Sequence, residues 1–541
     1  MPGDARIFGR VVDAETSRAL RGAFVVAVPA RLEDGSVVTD VRAEGMHPFA
    51  TRTDAEGRFA LSNLTPGEYT LVARRSGYVQ QQLGQASPST PGRRLVVQRG
   101  AFAGPLEFAL TRSAVISGSV LDSAGAPADR VTVRAERLRN VHGVWRLQGV
   151  HQATTDDRGE FRVFGLPPGS YVLSAYPLPS SGLPDTFAVT PARDVVPTFA
   201  PSATSVHEAR SIHVGPGEEA HAQIHLVEAE VSTIEGRVVD SRGAPLTDGF
   251  VGLQPRGGPR AVPGLTAQVT SDGTFTLAGV PPGAYTITMS PRISIGTVEE
   301  RAAQLARSEF GTLDVDVSGD MTGLVVRTQP GTTVRGRLTV QGDASRMRGR
   351  DVRVHATPLG GPNAWNGQAR ARVRPDLTFE LVGVRGPALL RLANAPEGWW
   401  TRAVNVGRVD GTEGYDFGAA RTLADVEMVV STTPSGLRGR VVTATNTPAT
   451  DAVVIGFDED ARRWYRPVVA NTFMVRPVED GTWSIEMLRP GPYRLLAVPA
   501  AAARGDDLND PDYLRALDAR ARTVVIGEGE TPEVVLVVGE P

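Results

Sequence analysis

The chain has 541 residues, 41% of them hydrophobic and 22% charged, with a formal net charge of −3. That length allows several separate cores, and the charge argues against a nucleic-acid or anionic-membrane partner. Cysteine and lysine are both absent, which removes disulfides, thiol catalysis, cysteine-held zinc or iron–sulfur sites, Schiff-base chemistry and a Walker-type phosphate lysine.

Two phrases then recur in order along the chain. The first is a strand opener with glycine: Ile7-Phe-Gly-Arg-Val-Val-Asp13, then Ile116–Asp122, Ile234–Asp240, Val334–Val340 and Leu437–Thr443. The opener glycines Gly9, Gly118, Gly236, Gly336 and Gly439 are spaced by 109, 118, 100 and 103 residues. The second phrase begins as Thr53-Asp-Ala-Glu-Gly-Arg-Phe59 and continues to Leu64-Thr-Pro-Gly-Glu-Tyr69. It returns at Thr155–Phe161 with Leu166–Tyr171, at Ser271–Phe275 with Val280–Tyr285, and at Glu479–Trp483 with Leu488–Tyr493. The fourth copy is worn: Pro375–Phe379 is followed by Val384-Arg-Gly-Pro387, with Leu389 or Leu390 near the tyrosine position.

Each piece has a local physical reading. An Asp-Gly or Glu-Gly pair between alternating runs predicts a hairpin, glycine supplying the positive φ. The aromatic residue after it points inward on the return strand, and Phe161-Arg-Val-Phe-Gly-Leu166 alternates with period two. Pro-Pro-Gly makes a tight turn. The tyrosine that follows buries its ring and keeps its hydroxyl bonded at the sandwich edge. Further hairpins are expected at Ser211–Leu226 and Thr523–Leu536. Two short helices are expected, over Val298–Arg307 and over Asp510–Arg520, the latter with Asp510 as N-cap and Pro511 at the first position.

These readings give an all-β chain of five tandem Ig-like or transthyretin-like Greek-key β-sandwiches with one or two short helices. The expected boundaries are 1–113, 114–230, 231–330, 331–433 and 434–541, with the fourth unit degenerate. The near absence of linkers predicts a stiff rod or arc. No run of 18 apolar residues occurs, so no spanning helix is expected.

The opener, the Asp-x-x-Gly-x-Phe turn and the Pro-Pro-Gly-x-Tyr strand together resemble the carboxypeptidase regulatory-like domain, a prealbumin-like seven-stranded sandwich. The unit order is also similar to multi-repeat proteins of soil bacteria such as the Acidobacteria, where a Gly-Trp-Tyr-type phrase in the penultimate unit is similar to Gly398-Trp-Trp-Thr-Arg-Ala-Val404. The resemblance implies an accessory or binding role without catalysis. It also implies an extracytoplasmic location (periplasmic, cell-surface or secreted), with a leader peptide removed.

Candidate sites are few. Trp399 and Trp400 form an adjacent pair, and one ring of such a pair must face away from the core, where packing against a neighbouring unit is expected ahead of stacking on a sugar or aromatic ligand. Asp506, Asp507, Asp510 and Asp512 are dense enough in oxygen to suggest calcium, with helix capping as the competing role. His207, His213, His221 and His225 cluster in sequence; His221 and His225 sit about 13 Å apart on a strand, too far for one zinc, and although His213 and His221 flank a turn, exposed strand positions are expected ahead of a metal pair across it. No catalytic residue and no cofactor are expected, since no His-Glu-x-x-His, Gly-x-Ser-x-Gly or Gly-x-Gly-x-x-Gly signature occurs in its required context. The function expected is a non-enzymatic exported scaffold or binding protein with a polysaccharide, peptide or protein partner. A subunit of an extracellular filament and a hydrolase with an unfamiliar site are the competing classes.

Overall fold

The two recurring phrases face each other across a strand pair. In register, Gly9 lies opposite Phe59, Gly118 opposite Phe161, Gly236 opposite Phe275, Gly336 opposite Phe379 and Gly439 opposite Trp483. On its other side each opener strand runs parallel to the last strand of the unit, and that backbone approaches closely. A Cβ on Gly9 would meet Leu106 O at 2.1 Å, and one on Gly118 would meet Ala222 O at 1.7 Å. The remaining three openers crowd Leu324, Val426 and Val534 in the same way. Glycine recurs there because no side chain fits, and the aromatic ring opposite covers the gap it leaves.

The computed structural model describes residues 3–539 other than 33–48, 142–143, 178–192, 257–264, 295, 348–349, 360–368, 397, 419–421 and 465–470. Strands dominate, and the described residues form only two α-helices, Val298–Arg307 and Pro511–Asp518. In the first unit one sheet has the order Arg58–Leu64, Ala5–Asp13, Phe102–Leu110. The facing sheet is built around Phe24–Leu32 and the tyrosine strand Gly67–Arg74. The second, third and fifth units repeat the three-stranded sheet with the opener in the centre. Separate hydrophobic clusters fill Ala5–Leu110, Ala114–Leu226, Ile234–Val326, Val334–Val430 and Leu437–Leu536. The chain is thus an all-β array of tandem sandwiches.

The turns join sheets rather than strands of one sheet, which corrects the hairpin expectation. Ala50–Arg52 pairs with Phe24–Leu32, whereas Arg58–Leu64, just past the Asp-x-x-Gly turn, pairs with the opener. The late "hairpins" behave alike: Ser211–Val214 pairs with the tyrosine strand, and Glu219–His225 pairs parallel with the opener. A sandwich needs links between its two layers, and a tight Gly turn serves that purpose as well as it closes a hairpin. Asp54 Oδ1 accepts from the Arg58 and Glu56 amides at 2.8 and 3.0 Å, with Gly57 at φ 73°. In the fourth unit the same turn carries Leu377 at φ 66°, a left-handed conformation that costs a branched residue about 1–2 kcal/mol.

In the first two units the tyrosines are fully buried corners. Tyr69 Oη donates to Thr65 O at 2.7 Å, four residues back across the Pro-Gly turn, and Tyr171 donates to Pro167 O in the same way. Burial pushes the Tyr285 phenol up to about 12. The fourth unit lacks this corner; Ala388 and Leu390 fill the core there. Its topology changes too. Trp400–Val406 joins the opener sheet, which grows to five strands.

Both helices form where expected. The first has a capping box between Thr297 and Glu300, and its Leu305 is buried against Gly383 of the fourth unit. The second is capped by Asp510. Its Tyr513, Leu514 and Leu517 build a second core on Val453, Ile455 and Phe457, so the strand Ala452–Asp458 is buried on both faces.

An open rod is not what the units make. The fifth unit returns to the first two. Arg93 pairs with Glu479 at 3.1 Å, Arg476 donates to Gly84 O, and Asp506 forms an ion pair with Arg139 at 2.8 Å beside Arg137.

Candidate functional site

The tryptophan pair splits as its strand geometry requires. Trp399 is 5% exposed, inside the fourth core with Phe417 and Met428. Trp400 begins the added strand and is half-buried, its Nε1 donating to Thr433 O at 3.3 Å, at the passage to the fifth unit. Two residues on, Arg402 reaches Gln341 and pairs with Glu528 at 2.5 Å. The pair therefore sits at a junction between units. Trp464 is also buried, with its Nε1 donating to Asp458 O at 2.7 Å, whereas Trp145 is 48% exposed. Trp365, Tyr465, His47 and His142 lie outside the described residues.

The four aspartates do not converge. Asp506 is held between Arg137 and Arg139, Asp507 pairs with Arg504, Asp510 caps the helix, and Asp512 pairs with Arg515. Burial raises the Asp507 carboxyl despite the neighbouring Arg504. Among the described residues no group of three or more His, Asp or Glu side chains comes together to hold a metal ion. The histidines do not pair either, and His207, His213, His221 and His225 are all exposed. His213 meets Ser170 at 3.2 Å in one sheet and His221 meets Ser117 at 2.9 Å in the other. Their strands are layers apart because the intervening turn crosses the sandwich.

Other buried polar groups serve packing. Asp13 is buried within the first unit, where Arg112 reaches it at 2.6 Å and the Thr16 amide and Tyr78 hydroxyl at 2.9 and 3.0 Å. Burial alone would raise its carboxyl, but these donors outweigh it and hold it well below the usual carboxylate range. Glu136 is raised by burial and accepts from Ser174 at 2.5 Å.

The seam between the third and fourth units is the feature that sequence reasoning missed. Two cavities of about 330 and 350 Å³ open there. One lies between Phe310 and Arg385, whose guanidinium stacks 3.8 Å from the ring and is lowered by burial to about 10. Arg385 stands within the phrase that reads Pro-Pro-Gly in the second and third units. The other cavity lies between the helix Val298–Arg307 and the sheet edge, and Arg301, Arg353, Arg370 and Arg372 line it with Glu299. Alternation explains the set: Val354 and Ala371 point into the core, so their neighbours Arg353, Arg370 and Arg372 share the outer face. The spellings Arg-Val-His and Arg-Ala-Arg carried that signal, but only the register sets the residues side by side: Arg353 opposite Arg372 and His355 opposite Arg370.

Residues 6–98 and 115–200 match the family model of the carboxypeptidase regulatory-like domain, and the first two units are domains of that kind. No curated protein shows a sequence match to the chain. Among solved structures, a streptococcal ancillary pilin is similar over 60% of this chain and 99% of its own, at 12% identity and a TM-score of 0.19. The minor pilin of Streptococcus agalactiae is similar over 42% and 97%, at 11% identity and a TM-score of 0.23. Two B repeat units of the collagen-binding protein of Staphylococcus aureus are similar over 79% and 99%, at 12% identity and a TM-score of 0.13.

Proposed function

We propose, taking the first two units as carboxypeptidase regulatory-like domains, that this chain is a non-enzymatic scaffold. It holds five sandwiches in a fixed relation and presents their loops to a polysaccharide, peptide or protein partner outside the cytoplasm. The observation that carries the reading is the way the recurring and charged residues are used. The opener glycine, the turn aspartate and the corner tyrosine all serve the fold of their own unit. Charged side chains fasten one unit to the next: Arg372 to Glu299, and Arg489 and Arg463 to Glu413 at 2.7 and 2.8 Å. Arg93, Arg476 and Asp506 fasten the last unit to the first two. Such ties restrict inter-domain motion and pre-organise a surface made from several units.

The test is a panel of glycans and peptides offered to the whole purified chain, read both for saturable binding and for chemical change of the bound molecule. The scaffold reading expects binding with the molecule recovered intact. Turnover abolished by one substitution would overturn it.

A further inference from the structure

We propose that the arginine-lined cavity between the helix Val298–Arg307 and the fourth unit is a binding site for a tetrahedral oxyanion, phosphate or sulfate, carried on a molecule of up to monosaccharide size. The inference goes beyond the scaffold reading and stands without it, because it rests on the seam alone.

Four guanidinium groups line the cavity, against one lining carboxylate, Glu299. Glu299 pairs with Arg372 at 3.1 Å, and Asp351 at the rim holds Arg353 and reaches Arg372 at 3.2 Å. Glu300 is engaged in the capping box, accepting from the Thr297 amide at 2.8 Å. Arg301 has no ion-pair partner among the described residues, and Arg353 Nε is buried without a hydrogen-bond partner. Buried guanidinium donors that are not satisfied within the protein are costly to leave so. An anion in the cavity would satisfy them, and arginine forks match the edges of phosphate or sulfate.

The surrounding field has the matching sign. His355 lies between Arg370 and Arg391 in register, and burial together with these two charges lowers its imidazole below the ordinary value. The walls set the size and the second character of the ligand. Val298, Ala302 and Leu305 give the cavity an apolar side, and about 330 Å³ holds more than a bare phosphate. A phosphorylated or sulfated sugar fits both the charge and the volume. The site also spans two units, so its ligand would tie the helix of the third to the sheet of the fourth.

The experiment is titration calorimetry on the whole chain at low ionic strength with glucose 6-phosphate, glucose 6-sulfate, inorganic phosphate and glucose. Saturable one-site binding of glucose 6-phosphate or glucose 6-sulfate is expected, with inorganic phosphate weaker and glucose silent; the ratio between the two esters identifies the anion. Arg370→Ser with Arg372→Ser should weaken the ester at least tenfold, and so should Arg301→Gln, on the helix side of the cavity. Arg10→Gln, in an exposed ion pair of the first unit, should leave it unchanged. Near-ultraviolet circular dichroism of each variant checks that the fourth unit is folded. Silence with both esters, equal binding of glucose, or equal loss in Arg10→Gln would overturn the proposal.

Discussion

The second and fourth units start from the same opener and the same turn, yet they have diverged where the tyrosine corner stands. In the second, Tyr171 closes the Pro-Pro-Gly turn by donating to Pro167 O, and Arg137 stacks on its ring at 4.6 Å while donating to the two proline carbonyls. In the fourth, the prolines and the tyrosine are gone, Arg385 leaves the turn to stack on the third unit, and an extra strand from Trp400 enlarges the opener sheet. One unit uses its recurring residues on itself. The other has released the same positions to its neighbours, and the cavities lie beside it. The difference teaches that the repeat marks what the sandwich requires, while departures from it mark what the assembly uses.

Changes at five positions would break or sharpen this contrast. Tyr171→Ala should have the largest effect, about 3–5 kcal/mol on the second unit, because it removes a fully buried aromatic; Tyr171→Phe should cost about 1 kcal/mol, the worth of one hydrogen bond. Hydrogen exchange read unit by unit separates these losses from the behaviour of the fourth unit, which has no such corner. Gly57→Leu should cost about 2–3 kcal/mol, since its Cβ would meet Val11 O at 2.5 Å and leucine resists the left-handed turn. Leu377→Gly, the reverse change in the fourth unit, should shift its stability by under about 1 kcal/mol, as relieved strain offsets lost packing. Asp13→Asn should cost about 2 kcal/mol through weakened hydrogen bonds to Arg112 and Tyr78. A carboxyl held low in the fold stabilises it above the unfolded carboxylate pKa and loses that contribution as pH falls below it. The wild-type chain should therefore lose its advantage over Asp13→Asn in acid melts. His355 should give the smallest effect, of opposite origin. Its imidazole is held below 6.5 by burial and by Arg370 and Arg391, so the unfolded chain protonates first and the fourth unit weakens as pH falls below about 6.5. His355→Asn should flatten that slope in hydrogen exchange between neutral and mildly acidic pH.

Much of the architecture was legible in the residues. The opener and turn phrases located their strands, and the Thr297–Glu300 capping box and Asp510-Pro511 located both helices. Strand partners were not legible. A turn of Asp and Gly has the same local chemistry whether it returns to its own sheet or crosses to the other, so Asp54–Arg58 read as a hairpin and proved a crossing. Trp399 and Trp400 face opposite ways, one into the core and one toward the passage to the fifth unit, and adjacency alone does not decide between a ligand contact and packing there. The arginines of the cavity were invisible as a group because Arg301, Arg353 and Arg370 come from elements far apart in sequence. The return of the last unit was equally hidden: no local pattern announces that Asp506 meets Arg139.

That return is the claim on which the scaffold account turns, and the natural absence of cysteine makes it directly testable. Arg93→Cys with Glu479→Cys introduces the only two thiols, at residues whose side chains pair at 3.1 Å, while Arg476, Arg139 and Asp506 keep the units together. Treated at high dilution with a short bis-maleimide, the double variant should form an intramolecular link in most chains, seen as a monomer of altered mobility on denaturing gels. The same chains unfolded in denaturant before treatment should show little of it. A double variant that links no better folded than unfolded, or only between chains, would contradict the account.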